Sequence, residues 1–118
     1  MSTIAIDLDD VLCKRSKIYE DIPGKKKYTL CQPIQRNIDK VNQWYDDGHK
    51  IIIYTARGMT QYKGNIIEIY DELYNFTEDQ LKRWNIKYDS LVMGKIHYDL
   101  IIDDKALNSK YMRWHNVE

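Results

Sequence analysis

The sequence predicts an α/β fold, a three-layer α/β/α sandwich around a central parallel sheet. Two observations predict it. Short apolar runs alternate with segments of helical periodicity, as in βαβ units. Three of these runs, Ile4-Ala5-Ile6, Ile51-Ile52-Ile53-Tyr54 and Leu100-Ile101-Ile102, lead straight into polar residues. In a parallel sheet those polar ends share one edge, where open α/β sheets bind their ligands.

The first strand is expected over about Thr3 to Leu8. Its apolar character on both faces suits a central parallel strand. Residues 13 to 32 form a basic, flap-like connection, with Lys14, Arg15, Lys17 and Lys25-Lys26-Lys27 around a Pro23-Gly24 turn. A short hairpin fits this stretch. A helix starts near Pro33, which suits a first helical position. Ile34, Ile38, Val41 and Tyr45 give it one apolar stripe, and Gly48 stops it. The second strand is Lys50 to Tyr54. Asn65 and Glu68 stand at capping-box spacing, before a helix burying Ile66, Ile69, Tyr70 and Leu73. Thr77 and Gln80 repeat that spacing and predict a separate short helix with Leu81 and Trp84. Strands follow at Ser90 to Met93 and Tyr98 to Ile102. The tail predicts a helical turn and an edge strand through Tyr111 to Trp114.

The chain of 118 residues fits one domain, 1–118, with no room for a cap of useful size. Lys plus Arg and Asp plus Glu balance at 18 each, which argues against a general nucleic-acid binder. No apolar run reaches membrane-spanning length. The first strand begins about two residues after Met1, so a complete N-terminus without a leader is expected. Cys13 and Cys31 form no C-x-x-C pair and suit a reduced, cytoplasmic setting. His49, His97 and His115 share no metal-ligand spacing.

Gathered at one edge, Asp7, Asp9, Asp103, Asp104, Thr55 and Lys95 predict chemistry on phosphate. A carboxylate can attack phosphorus and form an aspartyl-phosphate. Four acids against one lysine need a cation, and Mg²⁺ suits carboxylates together with phosphate oxygens.

The motifs carry a resemblance. D-L-D-D-V-L at 7 to 12, Y-T-A-R at 54 to 57, G-K at 94 to 95 and I-D-D-K-A at 102 to 106 resemble, in order, the four motifs of the haloacid dehalogenase superfamily of phosphohydrolases. The segment 54 to 65 resembles small capless members found beside capsule and surface-polysaccharide biosynthesis enzymes. The resemblance implies a Rossmann-like core and a Mg²⁺-dependent phosphatase. Its substrate would be a small phosphorylated metabolite, a sugar phosphate or polysaccharide precursor. Asp7 would be nucleophile and metal ligand. Asp9 would be general acid and then base, and bind the metal through its carbonyl. Thr55 and the N–H of Ala56 would hold phosphoryl oxygens. Lys95 would neutralise charge. Asp103 would ligate the metal directly, and Asp104 through water or by steering Lys95. Val11 stands where many family phosphatases carry Thr, as in nucleotidase-like members.

Alternatives stay open from sequence. D-x-D-x-V-L also fits a 5′-nucleotidase acting on deoxynucleotides, although those enzymes usually carry a helical cap. A receiver domain uses similar residues, but its acidic pair comes first in the chain, whereas one comes last here. An inactive binding domain is a further class. Arg57 is read as a substrate clamp or a solvated loop residue, Asp10 as a turn cap, and Lys25-Lys26-Lys27 as a solvated face or a substrate contact. An open site without a cap would be closed by the flap or by a second subunit of a homo-oligomer.

Overall fold

In a computed structural model, residues 1–18, 22 and 24–114 are described. Pro23 of the expected turn and His115 lie outside them. The elements in chain order are β1 (Thr3–Ile6), β2 (Cys13–Lys14), α1 (Lys26–Thr29), β3 (Gln32–Pro33), α2 (Gln35–Asp46), β4 (Lys50–Tyr54), α3 (Ile66–Ile69), a π-helical turn (Tyr70–Tyr74), α4 (Asn75–Arg83), β5 (Ser90–Val92) and a 3₁₀ helix (Ser109–Trp114).

Among the described residues β1, β4 and β5 form a parallel sheet in the order β1-β4-β5. Thr3 pairs with Lys50 and Ile6 with Ile53, while Ile53 pairs with Leu91. This register brings Asp7, Thr55 and Met93, each one residue beyond its strand, to the same edge. The α/β architecture and the parallel sheet follow the sequence reading. The place of β1 does not. Its apolar run predicts a central strand, yet it stands at an edge of the sheet, with Thr3 and Ala5 exposed.

The core explains the order of the elements. Ile51 and Ile53 are fully buried on β4, with Ile38, Val41 and Trp44 of α2 in the same cluster. Each such side chain contributes about 1.5–3 kcal/mol on leaving water. α2 begins two residues later than expected, because Pro33 pairs with Cys13 in the small ladder that closes the flap. Its inner stripe uses Trp44, and Tyr45 is 38% exposed. Gly48, with φ +96, ends it as the sequence predicts.

Two other expectations fail. Thr77 and Gln80 start no new helix. One helical run passes from Ile66 to Arg83, and the π turn supplies a change of register in place of the expected break. Tyr70 and Tyr74 stack there, with ring centroids 5.4 Å apart. The strand expected over Tyr98 to Ile102 is not formed, and Tyr111 to Trp114 belong to the 3₁₀ helix. A parallel fourth strand would need a crossover of a dozen or more residues after β5. Only five separate Val92 from Tyr98.

Candidate active site

A cleft of about 650 Å³ opens at the carboxyl edge of the sheet, and Asp7, Thr55, Lys95 and His97 help to line it. Asp7 lies just past β1. Its Oδ1 accepts the Leu8 N–H at 2.8 Å, and its Oδ2 lies 3.4 Å from Lys95 Nζ. Burial raises the Asp7 pKa above its ordinary 3.8, with Lys95 and the Leu8 N–H pulling the other way. Burial also opposes the Lys95 charge, but Asp7 and Tyr98 outweigh it and raise that pKa. A simple ion pair would lower the acid. Here the cost of drying the carboxylate exceeds what one lysine at 3.4 Å returns.

The backbone fixes Lys95. The Met93 N–H donates to the Tyr70 phenol oxygen at 3.1 Å. Gly94 then turns with φ +88, and a Cβ there would come within 2.8 Å of Ile66 Cδ1. Glycine answers both constraints. The Lys95 N–H then donates to the Thr55 carbonyl at 3.1 Å. The Thr55 hydroxyl accepts from the Arg57 N–H at 3.2 Å and keeps its own proton for a ligand oxygen. Ala56 lines the same cleft.

Asp9 and Arg57 make a second unit. Arg57 Nε donates to Asp9 Oδ2 and Nη2 to Asp9 Oδ1, both at 2.9 Å. Nη1 donates to Gln80 Oε1 at 2.8 Å and Thr77 Oγ1 at 3.3 Å. The guanidinium lies 4.5 Å from the centre of the Tyr28 ring, on α1 of the flap. Tyr28 is held in turn by Gly58 N–H to its phenol oxygen and by Gln80 Nε2 to its carbonyl. The Arg57 side chain is wholly buried and its nitrogens are engaged by Asp9, Gln80 and Thr77, so it is not a solvated loop residue. Burial works against its charge, and Asp9 more than offsets that and raises the Arg57 pKa. Sequence reasoning misses the part that Thr77, Gln80 and Tyr28 play here. The polar pair Thr77 and Gln80, three apart on one helix face, is the available signal, and in sequence it reads as a cap.

The flap residues divide. Asp10 meets Arg15, with Arg15 Nε 2.7 Å from Asp10 Oδ2. Lys27 and Arg15 reach the cleft wall, while Tyr28 anchors α1 beneath it.

Of the expected Mg²⁺ ligands, Asp7 and Asp9 line the cleft. Both Asp9 side-chain oxygens are engaged by Arg57, which leaves the carbonyl that the resemblance assigns to the ion. Asp103 and Asp104 are exposed and line no part of the cleft. Among the described residues the one group of three potential ligands is Asp9, Cys13 and Cys31. Arg57 stands on its carboxylate, and a cation is disfavoured there. Cys13 is held strongly protonated by its hydrogen bond to Cys31, with burial and Asp9 adding to the effect.

A crystal structure of an MCSG target from Vibrio cholerae is similar in fold, with a TM-score of 0.83 and 25% identity, over 99% of this chain and 91% of that one. No protein-family model and no curated protein matches the chain. No described helix is long and apolar enough to cross a membrane.

Two outcomes are expected. Arg57→Ala leaves Asp9 unpaired beside a cavity and costs about 3–5 kcal/mol in urea unfolding; a loss below about 1 kcal/mol contradicts the hub. The second concerns Asp7, whose pKa is raised in the folded state. Stability linked to its proton is complete below 3.8 and is lost as pH rises through the folded value. Asp7→Asn therefore raises the melting temperature at pH 7, and the gain vanishes below pH 3.8. A lowered melting temperature at pH 7 contradicts this.

Proposed function

We propose that the protein is a phosphatase that hydrolyses a phosphomonoester through an aspartyl-phosphate on Asp7. One observation carries the reading: Asp7 and Lys95 meet 3.4 Å apart at the open carboxyl edge of a parallel sheet, while the neighbouring acid is bound to Arg57. The four ordered sequence motifs support it.

A carboxylate oxygen of Asp7 attacks phosphorus, and the bond to the leaving oxygen breaks. Water then cleaves the acyl phosphate and frees Asp7. Lys95 lies beside the point where charge gathers, and Thr55 can donate its hydroxyl proton to a phosphoryl oxygen. Lys27 and Arg15 on the cleft wall favour an anionic substrate. The sequence motif assigns the proton transfer to Asp9. Its bidentate bond to Arg57 suits an anchor better than a carrier. His97 on the wall can take the proton duty. Asp7 and the Asp9 carbonyl would contribute to holding a Mg²⁺ ion at the cleft, where it would neutralise phosphate charge; Asp103 and Asp104 of the same chain do not line it.

The substrate class proposed is a sugar phosphate or polysaccharide precursor, since an uncapped cleft admits a bulky leaving group. In an assay with Mg²⁺ present, wild type releases phosphate from such compounds faster than from deoxynucleoside monophosphates. Asp7→Asn abolishes release, and Lys95→Ala lowers kcat about 10²–10³-fold. Equal rates for wild type and Asp7→Asn, or no release from any substrate, overturn the reading.

A further inference from the structure

β1 has one strand neighbour among the described residues, so the peptide groups along its outer side lack a ladder. Such an edge is a template for another strand. The same chain holds an apolar strand-like segment that stays open to solvent. Leu100 is 77% exposed, Ile101 49% and Ile102 91%. No described backbone bond pairs residues 99–102 with another strand. A free edge and a homeless run of this kind are complementary.

The chain cannot join them within itself and keep the site. Lys95 is pinned at the carboxyl edge by Thr55 and Asp7. A parallel strand beside β1 must start at the opposite edge, next to Thr3. Asp99 is four residues beyond Lys95, a reach of about 14 Å at full extension. The descent along Thr3 to Asp7 already takes about 13 Å. Lys95 is bonded to Thr55 beyond β4, two strand spacings or about 9.6 Å from a strand outside β1, so the straight path is about 16 Å and exceeds that reach even before the chain reverses direction. Antiparallel pairing in the same chain is within reach, but it carries Asp103 to the wrong edge.

We propose that two copies of this chain exchange residues 99–102, each adding them as a parallel strand to the other's β1, so that Asp103 of the partner subunit stands beside Asp7. The register that aligns Asp103 with Asp7 pairs Thr3 to Ile6 with Asp99 to Ile102. It stacks Leu100 on Ile4 and Ile102 on Ile6, joining apolar side chains on one face of the sheet. Identical elements traded between protomers are a low-cost route to a dimer. The two carboxylates then lie about one strand spacing apart. They form the pair of hard oxygen donors that one chain fails to assemble. The exchange stands on backbone geometry alone. That Asp103 serves the site rests on the phosphatase reading.

Two arms test the two parts separately. In the first, full-length protein carrying Ala5→Cys and Ile101→Cys, which this register places opposite each other, is oxidised and its mass measured before and after. A dimer in solution that becomes covalent, with neither single variant linking at that site, is expected. A monomer, a link within one chain or a dimer that does not link overturns the exchange. The second arm co-expresses Asp7→Asn with Asp103→Asn. Each alone loses phosphatase activity. A mixed dimer holds one complete site, so the co-expressed pair recovers about a quarter of the wild-type rate. No recovery, or full activity of Asp103→Asn alone, removes Asp103 from a shared site, while the exchange itself stands or falls by the crosslink.

Discussion

The buried pair between Asp9 and Arg57 is the constraint on which the site depends. An unpaired guanidinium in that position would be untenable, because desolvating a full charge costs several kcal/mol. Asp9 supplies the countercharge, and Thr77, Gln80 and the Tyr28 ring occupy the rest of the surface around it. One side chain thereby joins the end of β1, the loop after β4, the helix α4 and the flap. The fold holds its basic connection in place by polar bonds as well as by apolar packing.

That pair also divides the labour between two acids that sequence spacing treats as equivalent. Asp9 turns inward to the guanidinium. Asp7 turns to the cleft, where one lysine only partly repays its loss of water. An acid in that condition is held in place by the fold at some cost, as reactive groups often are. The cost is bearable because the neighbouring backbone is overdetermined. Thr55 receives a bond from Lys95, and Tyr70 holds Met93.

Much of this is legible in the sequence, for identifiable reasons. Lys50 to Tyr54 forms as expected, because α2 before it supplies the crossover that a parallel strand needs. Gly48 and Asn65 act as stop and cap, since each role depends on local geometry alone. The failures are those of tertiary context. Thr77 and Gln80 resemble a cap in sequence, yet a buried arginine 20 and 23 residues upstream claims them. Arg57 itself reads as a substrate clamp or a loop cation, because nothing local announces that it will be covered. The segment Leu100 to Ile102 has the pattern of a strand. What a pattern does not show is whether the chain can travel back to the edge where that strand would begin. The short link after Lys95 is not enough, so Asp103 and Asp104 stay away from the cleft of their own chain.

On the proposed phosphatase reading, Asp7 alone among the clustered acids carries the covalent step. Acyl phosphates are reduced by borohydride, which converts the modified aspartate to homoserine. Mass spectrometry of protein quenched with borohydride during turnover locates that change. Homoserine is expected at position 7. Homoserine at position 9 or 103, or none under conditions of active phosphate release, would contradict it.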